Sequence, residues 1–183
     1  MITLHYDDVL DALAAPSIFL AGPTSSTTRT RWRLDALDAL AARGFAGTVV
    51  IPEFRARAFA EAAPVRFGGA TCPAPGMRAV SYNILAWETA GIERASVVLF
   101  WMPFALAAAH DPASLPGFTT RAEVSRELAR DPSRVVLGMP ASALSSSHIR
   151  FHAHHAGVAI HPTLGATIDA ALAKVSSTRP LAD

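Results

Sequence analysis

The chain has 183 residues, of which 51% are hydrophobic and 17% are charged. This length predicts one folded domain over residues 1–183, and the composition suits a compact α/β protein and excludes a disordered chain. The 16 basic and 15 acidic residues leave a formal net charge of +1, so no broad cationic field exists to hold polymeric nucleic acid or an anionic membrane. We therefore expect a small-molecule partner.

The cysteine content and the apolar runs bear on the cellular compartment. Cys72 is the only cysteine, which excludes an internal disulfide and a thiolate-rich metal site. The N-terminal residues lack the basic and apolar regions of a signal peptide. The most apolar stretch, Val97 to Ala109, is interrupted by Pro103 and is shorter than the roughly 20 residues that a membrane-spanning helix needs. A cytoplasmic location follows as the prediction.

The first elements alternate between strand and helix. The run SIFLA at Ser17 to Ala21 predicts a buried strand that ends at Gly22-Pro23. Apolar spacing predicts a helix over Arg31 to Arg43, and the β-branched run Thr48 to Ile51 completes a parallel βαβ unit. Residues 53–78 mix Pro, Gly, Ala and Arg without a clear period and predict a long loop.

The rest of the chain continues this alternation. The predicted elements are a helix over 80–94, a strand over 97–101, a loop over 105–116, a helix over 121–130, a strand over 134–137, a histidine-rich helical stretch, a short strand over 157–160 and a helix over 164–175. Together they predict an α/β fold: an open parallel sheet of about five strands with helices on both faces. Ligands bind such sheets beyond the carboxyl ends of the strands, so Gly22-Pro23, Pro52-Glu53 and Met102-Pro103 are candidate site positions.

The turn after the first buried strand offers a glycine followed by hydroxyl groups. Gly22 and Pro23 precede Thr24, and a strand end without a side chain suits close approach to a sugar or phosphate. The spacing matches neither the Gly-x-Gly-x-x-Gly nor the Walker pattern. By itself the segment therefore predicts only a strand-ending turn.

Two glutamates are candidates for chemistry. Glu123 follows a polar loop beyond a strand end, but Thr120 and Glu123 also have the capping-box spacing Thr-x-x-Glu, and spacing alone favours the cap. Glu88 belongs to a predicted helix that approaches the same crevice, and its neighbour Trp87 either stacks on a base or packs in the core, the second being the more common role. Two carboxylates that converge on one cleft suit glycosidic chemistry.

Histidines cluster near the C-terminal end of the chain. His148, His152 and His155 have the spacing of one helical face, with His154 adjacent, but no Glu or Cys completes a familiar zinc ligand set. We therefore predict no metal site. A helix surface or a subunit contact explains the histidines better, and Cys72 is expected to be structural rather than nucleophilic.

Five segments, taken in order, carry a family resemblance. They are IFLAGP at Ile18 to Pro23, TRWRLDAL at Thr30 to Leu37, VVIPE at Val49 to Glu53, WETAGIERASVVLFWMP at Trp87 to Pro103 and LPGFTTRAEVSREL at Leu115 to Leu128, continuing into VVLGMPASA at Val135 to Ala143. This set resembles the nucleoside 2-deoxyribosyltransferase-like family over most of the chain. The resemblance implies a flavodoxin-like or Rossmann-like sheet, a homo-oligomer without a cofactor, and chemistry at the N-glycosidic bond of a deoxyribonucleoside or related nucleotide.

The resemblance also implies roles for individual residues. Glu123 matches the glutamate that attacks the anomeric carbon, forming a glycosyl-enzyme intermediate that is passed to a second base or to water. A position near a helix N-terminus would keep this carboxylate ionised. Glu88 falls where many members carry an aspartate that positions or protonates the base. The implied substrate contacts are Phe19, Gly22, Pro23, Thr24, Trp87, Gly117, Thr119 and Thr120.

Three positions depart from the family pattern. Phe19 stands where studied members have tyrosine, Gly117 where an aspartate often contacts the base, and Ser125 where glycine usually follows the glutamate. Base recognition is therefore expected to differ. The departures leave open a nucleotide-sensing domain without turnover, and the histidines leave open a third hypothesis, a non-enzymatic interaction protein.

Overall fold

A computed structural model describes residues 1–23, 31–55, 79–103, 117–144 and 146–177. Its strands are β1 (Ile2–Leu4), β2 (Ser17–Ala21), β3 (Thr48–Val50), β4 (Val97–Trp101), β5 (Val135–Gly138) and β6 (Ile160–His161). Its α-helices are α1 (Trp32–Ala42), α2 (Ala79–Arg94), α3 (Phe118–Arg130), α4 (Ser147–His155) and α5 (Leu164–Ser177).

All six strands are parallel, and they form one sheet in the order β1-β3-β2-β4-β5-β6. From β2 onward this is the flavodoxin-like order, in which the chain reverses direction across the sheet at β2 and β4. The predicted open parallel α/β sheet is confirmed. The sequence indicated about five strands, and the sixth is β1, which pairs with β3 from Ile2↔Thr48 to Leu4↔Val50.

The two faces of the sheet bury separate apolar clusters, because neighbouring side chains of a strand point in opposite directions. On β4, Val98 and Phe100 pack in the cluster that includes Trp87 of α2 and Val124 of α3. Val97 and Leu99 belong to the opposite cluster, with residues of α1 and α5 such as Leu40 and Ile168. Helices therefore cover both faces, as predicted.

Most predicted elements agree with the structure within two residues, and two differ by more. Helix α3 begins at Phe118 rather than at Arg121, and β6 begins at Ile160 because Gly157, with φ 68°, still belongs to the turn after α4. The predicted loop over 105–116, Cys72 and all but the first three residues of the predicted loop over 53–78 lie outside the described residues. None of the described helices combines the length and apolarity that crossing a bilayer requires.

Candidate active site

A cavity of about 480 Å³ lies at the carboxyl ends of β2 and β3, where ligands bind sheets of this class. Its volume is in the range of small-molecule sites. Eight of the ten candidate residues line it, from three separate stretches of the chain: Phe19, Gly22, Pro23, Glu88, Gly117, Thr119, Thr120 and Glu123. Thr24 lies outside the described residues.

The remaining candidate, Trp87, is a core residue. Its side chain is fully buried and is not part of the cavity lining. The indole Nε1 donates a hydrogen bond to the Asp8 carbonyl at 2.9 Å, and the ring centroid lies 5.1 Å from that of Tyr6. The predicted contact of Trp87 with substrate is therefore corrected: Trp87 packs against Tyr6, which lines the cavity, and does not line the cavity itself.

Glu123 does not form the capping box that its spacing suggested. The N-cap of α3 is Gly117, with φ 69°, a left-handed conformation that favours glycine. Thr120 is consequently the third residue of the helix and Glu123 the sixth, so Thr120 is not an N-cap. Because Glu123 is one turn farther along than a capping glutamate, its carboxyl group lines the cavity instead.

The surroundings of Glu123 favour its neutral form. Burial and then the negative charge of Glu88 raise the pKa of Glu123 to about 8, while Arg126 and Arg33 act in the opposite direction. The expectation that a helix N-terminus keeps this carboxylate ionised is therefore wrong. The helix begins too early for its end to act strongly on Glu123, since that effect fades within the first turn.

Glu88 reaches the cavity from α2 and accepts a hydrogen bond on Oε1 from the Tyr6 hydroxyl. Burial raises the pKa of Glu88, and the hydrogen bond from Tyr6 and the charge of Arg33 lower it in part. The pKa of Tyr6 is also raised, by burial and then by the charge of Glu88. Tyr6 therefore remains a proton donor when Glu88 is ionised.

Arg33 of α1 organises the loop that follows β2. Its side chain is only 4% exposed, and it pairs with Glu53 at 2.6 Å. The same guanidinium donates to the carbonyls of Leu20, Gly22 and Pro23 at 3.3, 2.7 and 3.2 Å. Because these carbonyls belong to the end of β2 and its turn, Arg33 holds the backbone of the cavity wall in place.

Sequence reasoning missed Tyr6 and Arg33, and it named Glu53 only as a strand-end position, without its pairing to Arg33. The segment TRWRLDAL contains Arg33, and VVIPE ends at Glu53, so both stood in segments that carried the resemblance without being assigned a role. Tyr6 follows the short run Ile2 to Leu4, which is too brief to show a strand period. Its proximity to Glu88, 82 residues away, exists only in the fold.

The histidine cluster is not part of the cavity that contains Glu88 and Glu123. His148 and His152 are exposed on α4, with Nε2 atoms 3.1 Å apart, and neither lines the cavity. Within the described ranges, no group of three or more His, Cys, Asp or Glu side chains is arranged to hold a metal ion.

The cavity thus combines two carboxyl groups, one tyrosine hydroxyl and the two threonines Thr119 and Thr120. Carboxyl groups with raised pKa values in one site suit a reaction that exchanges protons near neutral pH. Comparison of the chain with models of protein families and with curated proteins gives no match, so the function is inferred from the cavity and its residues.

Proposed function

We propose that this protein transfers or hydrolyses the glycosyl group of a (deoxy)nucleoside or nucleotide, with Glu123 as the nucleophile. The observation that carries the proposal is the placement of Glu88 and Glu123 on one cavity, close enough for the charge of Glu88 to raise the pKa of Glu123. Paired carboxyl groups in different protonation states are what glycosidic chemistry requires. The five segments that resemble the nucleoside 2-deoxyribosyltransferase-like family support the same chemistry.

In the first half of the reaction, a carboxylate oxygen of Glu123 bonds to the anomeric carbon. The bond from that carbon to the base nitrogen breaks, and its electron pair leaves with the base. Glu88 donates a proton to the base, since a nucleobase anion is a poor leaving group. In the second half, a second base or a water molecule attacks the same carbon, the bond to Glu123 breaks, and Glu88 takes up the proton. Two inversions give net retention.

The turn at Gly22-Pro23 is suited to the sugar side of this cavity. A Cβ atom on Gly22 would lie 2.5 Å from the Trp101 carbonyl oxygen and 2.7 Å from the Trp32 ring. No side chain fits there, and the backbone of the turn is held by Arg33. A rigid wall of this kind fixes the sugar relative to Glu123, and such positioning is a large part of catalysis.

The test is a panel of deoxynucleosides and deoxynucleotides, with and without acceptor bases, in which free and exchanged base is followed by chromatography. We expect Glu123→Gln to reduce turnover by at least about 1,000-fold, and intact-mass analysis to find a glycosyl adduct on the peptide that carries Glu123. The control is Glu93→Gln, which removes a charge paired with Arg130 at 2.9 Å and leaves the cavity lining unchanged. Absence of base release throughout the panel, or full activity of Glu123→Gln, would refute the proposal.

The second candidate is a nucleotide-sensing domain without turnover. The raised pKa of Glu123 favours it, because a protonated carboxyl group cannot act as a nucleophile. Calorimetric binding of a nucleoside or nucleotide from the same panel, with no base released even at pH above about 8, would select this candidate over the enzyme.

A further inference from the structure

Tyr6 enters the cavity from the edge of the sheet that β1 adds. Its backbone N–H donates to the Glu53 carbonyl at 3.2 Å, and its ring centroid lies 5.0 Å from that of Phe54 and 5.1 Å from that of Trp87. A hydrogen bond therefore fixes the backbone of Tyr6, and packing against two aromatic rings fixes its side chain. Of the two aromatic side chains in the described cavity lining, Phe19 and Tyr6, only Tyr6 carries a hydroxyl group.

That hydroxyl donates its proton to Glu88 Oε1. We propose that Tyr6 is a positioning residue whose hydrogen bond fixes the Glu88 carboxyl group and stabilises the carboxylate that Glu88 becomes when it protonates the leaving base, an inference that rests on the proposed function.

The direction of the hydrogen bond explains this role of Tyr6. Because Tyr6 occupies Oε1 as a donor, the proton that Glu88 carries resides on Oε2. When the bond from the anomeric carbon to the base nitrogen breaks, this proton moves to the base, and Glu88 is left as a carboxylate. The Tyr6 hydroxyl stabilises the charge formed, because a hydrogen bond to the ionised form favours that form.

The other charged groups around Glu88 fit this assignment. Arg33 faces it from α1 and favours the carboxylate, but Arg33 is itself paired with Glu53. Glu123 faces it from α3, and the ionised form of each glutamate disfavours that of the other. Burial raises the pKa of Glu88 and favours its protonated form, and the hydrogen bond from Tyr6 acts in the opposite direction by favouring the carboxylate.

The experiment compares Tyr6→Phe with wild type on two substrates, a deoxynucleoside and 4-nitrophenyl 2-deoxyriboside, whose leaving group needs no proton. We expect kcat for the deoxynucleoside to fall by about 10- to 100-fold, within the range for general acid catalysis, and kcat for the nitrophenyl glycoside to change by less than about threefold. The matched control is Tyr82→Phe, which removes the other tyrosine hydroxyl of the chain from a side chain outside the cavity lining.

A second measurement does not depend on turnover. The titration of the Glu88 carboxyl carbon is followed by ¹³C NMR and assigned with Glu88→Gln. We expect Tyr6→Phe to raise the pKa of Glu88, because it removes a donor to the charged form, and Tyr82→Phe to leave it unchanged.

The outcomes separate this inference from the proposed function. Equal losses on both substrates, no loss on either, or an unchanged Glu88 titration would overturn the role of Tyr6 while leaving glycosyl transfer by Glu123 in place. A wild-type protein that cleaves neither substrate would overturn the proposed function, and the catalytic role of Tyr6 with it. Selective loss on the deoxynucleoside together with the raised pKa would establish the role.

Discussion

Glu88 and Glu123 lie on different helices, α2 and α3, and share one cavity in which burial, and then the charge of Glu88, raise the pKa of Glu123 to about 8. The pKa of Glu123 is raised this far because burial and the charge of the neighbouring Glu88 act together. The ionisation of Glu123 is therefore expected to control both activity and stability.

The pH dependence of activity is the first consequence. A nucleophilic Glu123 must be ionised, so kcat/KM of the wild-type protein is expected to rise with pH up to about 8. Glu88→Gln removes the negative charge that raises the pKa of Glu123 and should move this rise to lower pH. The measurement is kcat/KM for 4-nitrophenyl 2-deoxyriboside across about pH 5 to 9. A rise at the same pH in both proteins would contradict the coupling.

The pH dependence of stability has the opposite sign. The pKa of Glu123 is raised from its ordinary value of 4.5 to about 8 in the folded protein, so between these values the folded state binds more protons than the unfolded state. The free energy of unfolding is then expected to fall as pH rises through this window. Urea denaturation should show a smaller fall for Glu123→Gln than for wild type. Parallel curves would show that Glu123 does not contribute.

Arg33 is expected to be essential for the stability of the cavity wall. Arg33→Ala removes one donor from each of the carbonyls of Leu20, Gly22 and Pro23 and separates Glu53 from its buried partner. The Pro23 carbonyl still accepts from the Trp32 indole N–H at 3.0 Å. Because Arg33 is buried and Glu53 is 29% exposed, we expect the free energy of unfolding to fall by about 2 kcal/mol, between the values for exposed and fully buried pairs.

Arg43→Ala is the matched control for this substitution, measured by the same chemical denaturation. Arg43 pairs with Asp169 at 2.6 Å, but both side chains are substantially exposed, so its loss should cost less than about 1 kcal/mol. If the two substitutions lowered the free energy of unfolding equally, the hydrogen bonds and ion pair of Arg33 would contribute no more to stability than an exposed ion pair.

Gly22→Ala should damage the wall by crowding. The added Cβ would meet the Trp101 carbonyl oxygen at 2.5 Å, and such overpacking costs about 1 to 3 kcal/mol. Gly165→Ala is the control, since its Cβ would lie 3.8 Å from Arg43 Nη2, and alanine in a helix is favoured over glycine by about 0.5 to 1 kcal/mol. Thermal unfolding should therefore give shifts of opposite sign, and a tolerated Gly22→Ala would contradict the packing argument.

The order of strands and helices was predictable because each element has a local pattern. The apolar run Ser17 to Ala21 and the helical spacing over residues 80–94 are visible in the sequence and appear as β2 and α2. The strand-end rule pointed to the carboxyl ends of the strands. In the structure, Gly22, Glu88 and Glu123 line one cavity at these ends. Strand β1 was missed because three residues cannot display a period of two convincingly.

The capping box shows where local reasoning failed. Thr120 and Glu123 have the correct spacing, but Gly117 is the N-cap and the helix begins at Phe118, three residues before the predicted start at Arg121. Spacing specifies which residues fall on neighbouring positions of a helix, whereas the helix start depends on the conformation of the chain before it. Trp87 is a similar case, since an indole next to a glutamate fits a core or a site equally well until its neighbours are known.

By itself, the sequence determined the class of sheet and indicated the strand ends and the two glutamates that line one cavity, because periodicity and strand ends are local properties. Only the tertiary structure decided that Tyr6 donates to Glu88, that Arg33 holds the turn at Gly22, and that Glu123 has a raised pKa. These relationships join residues that are distant in the chain, and burial and charge interaction depend on distance in space.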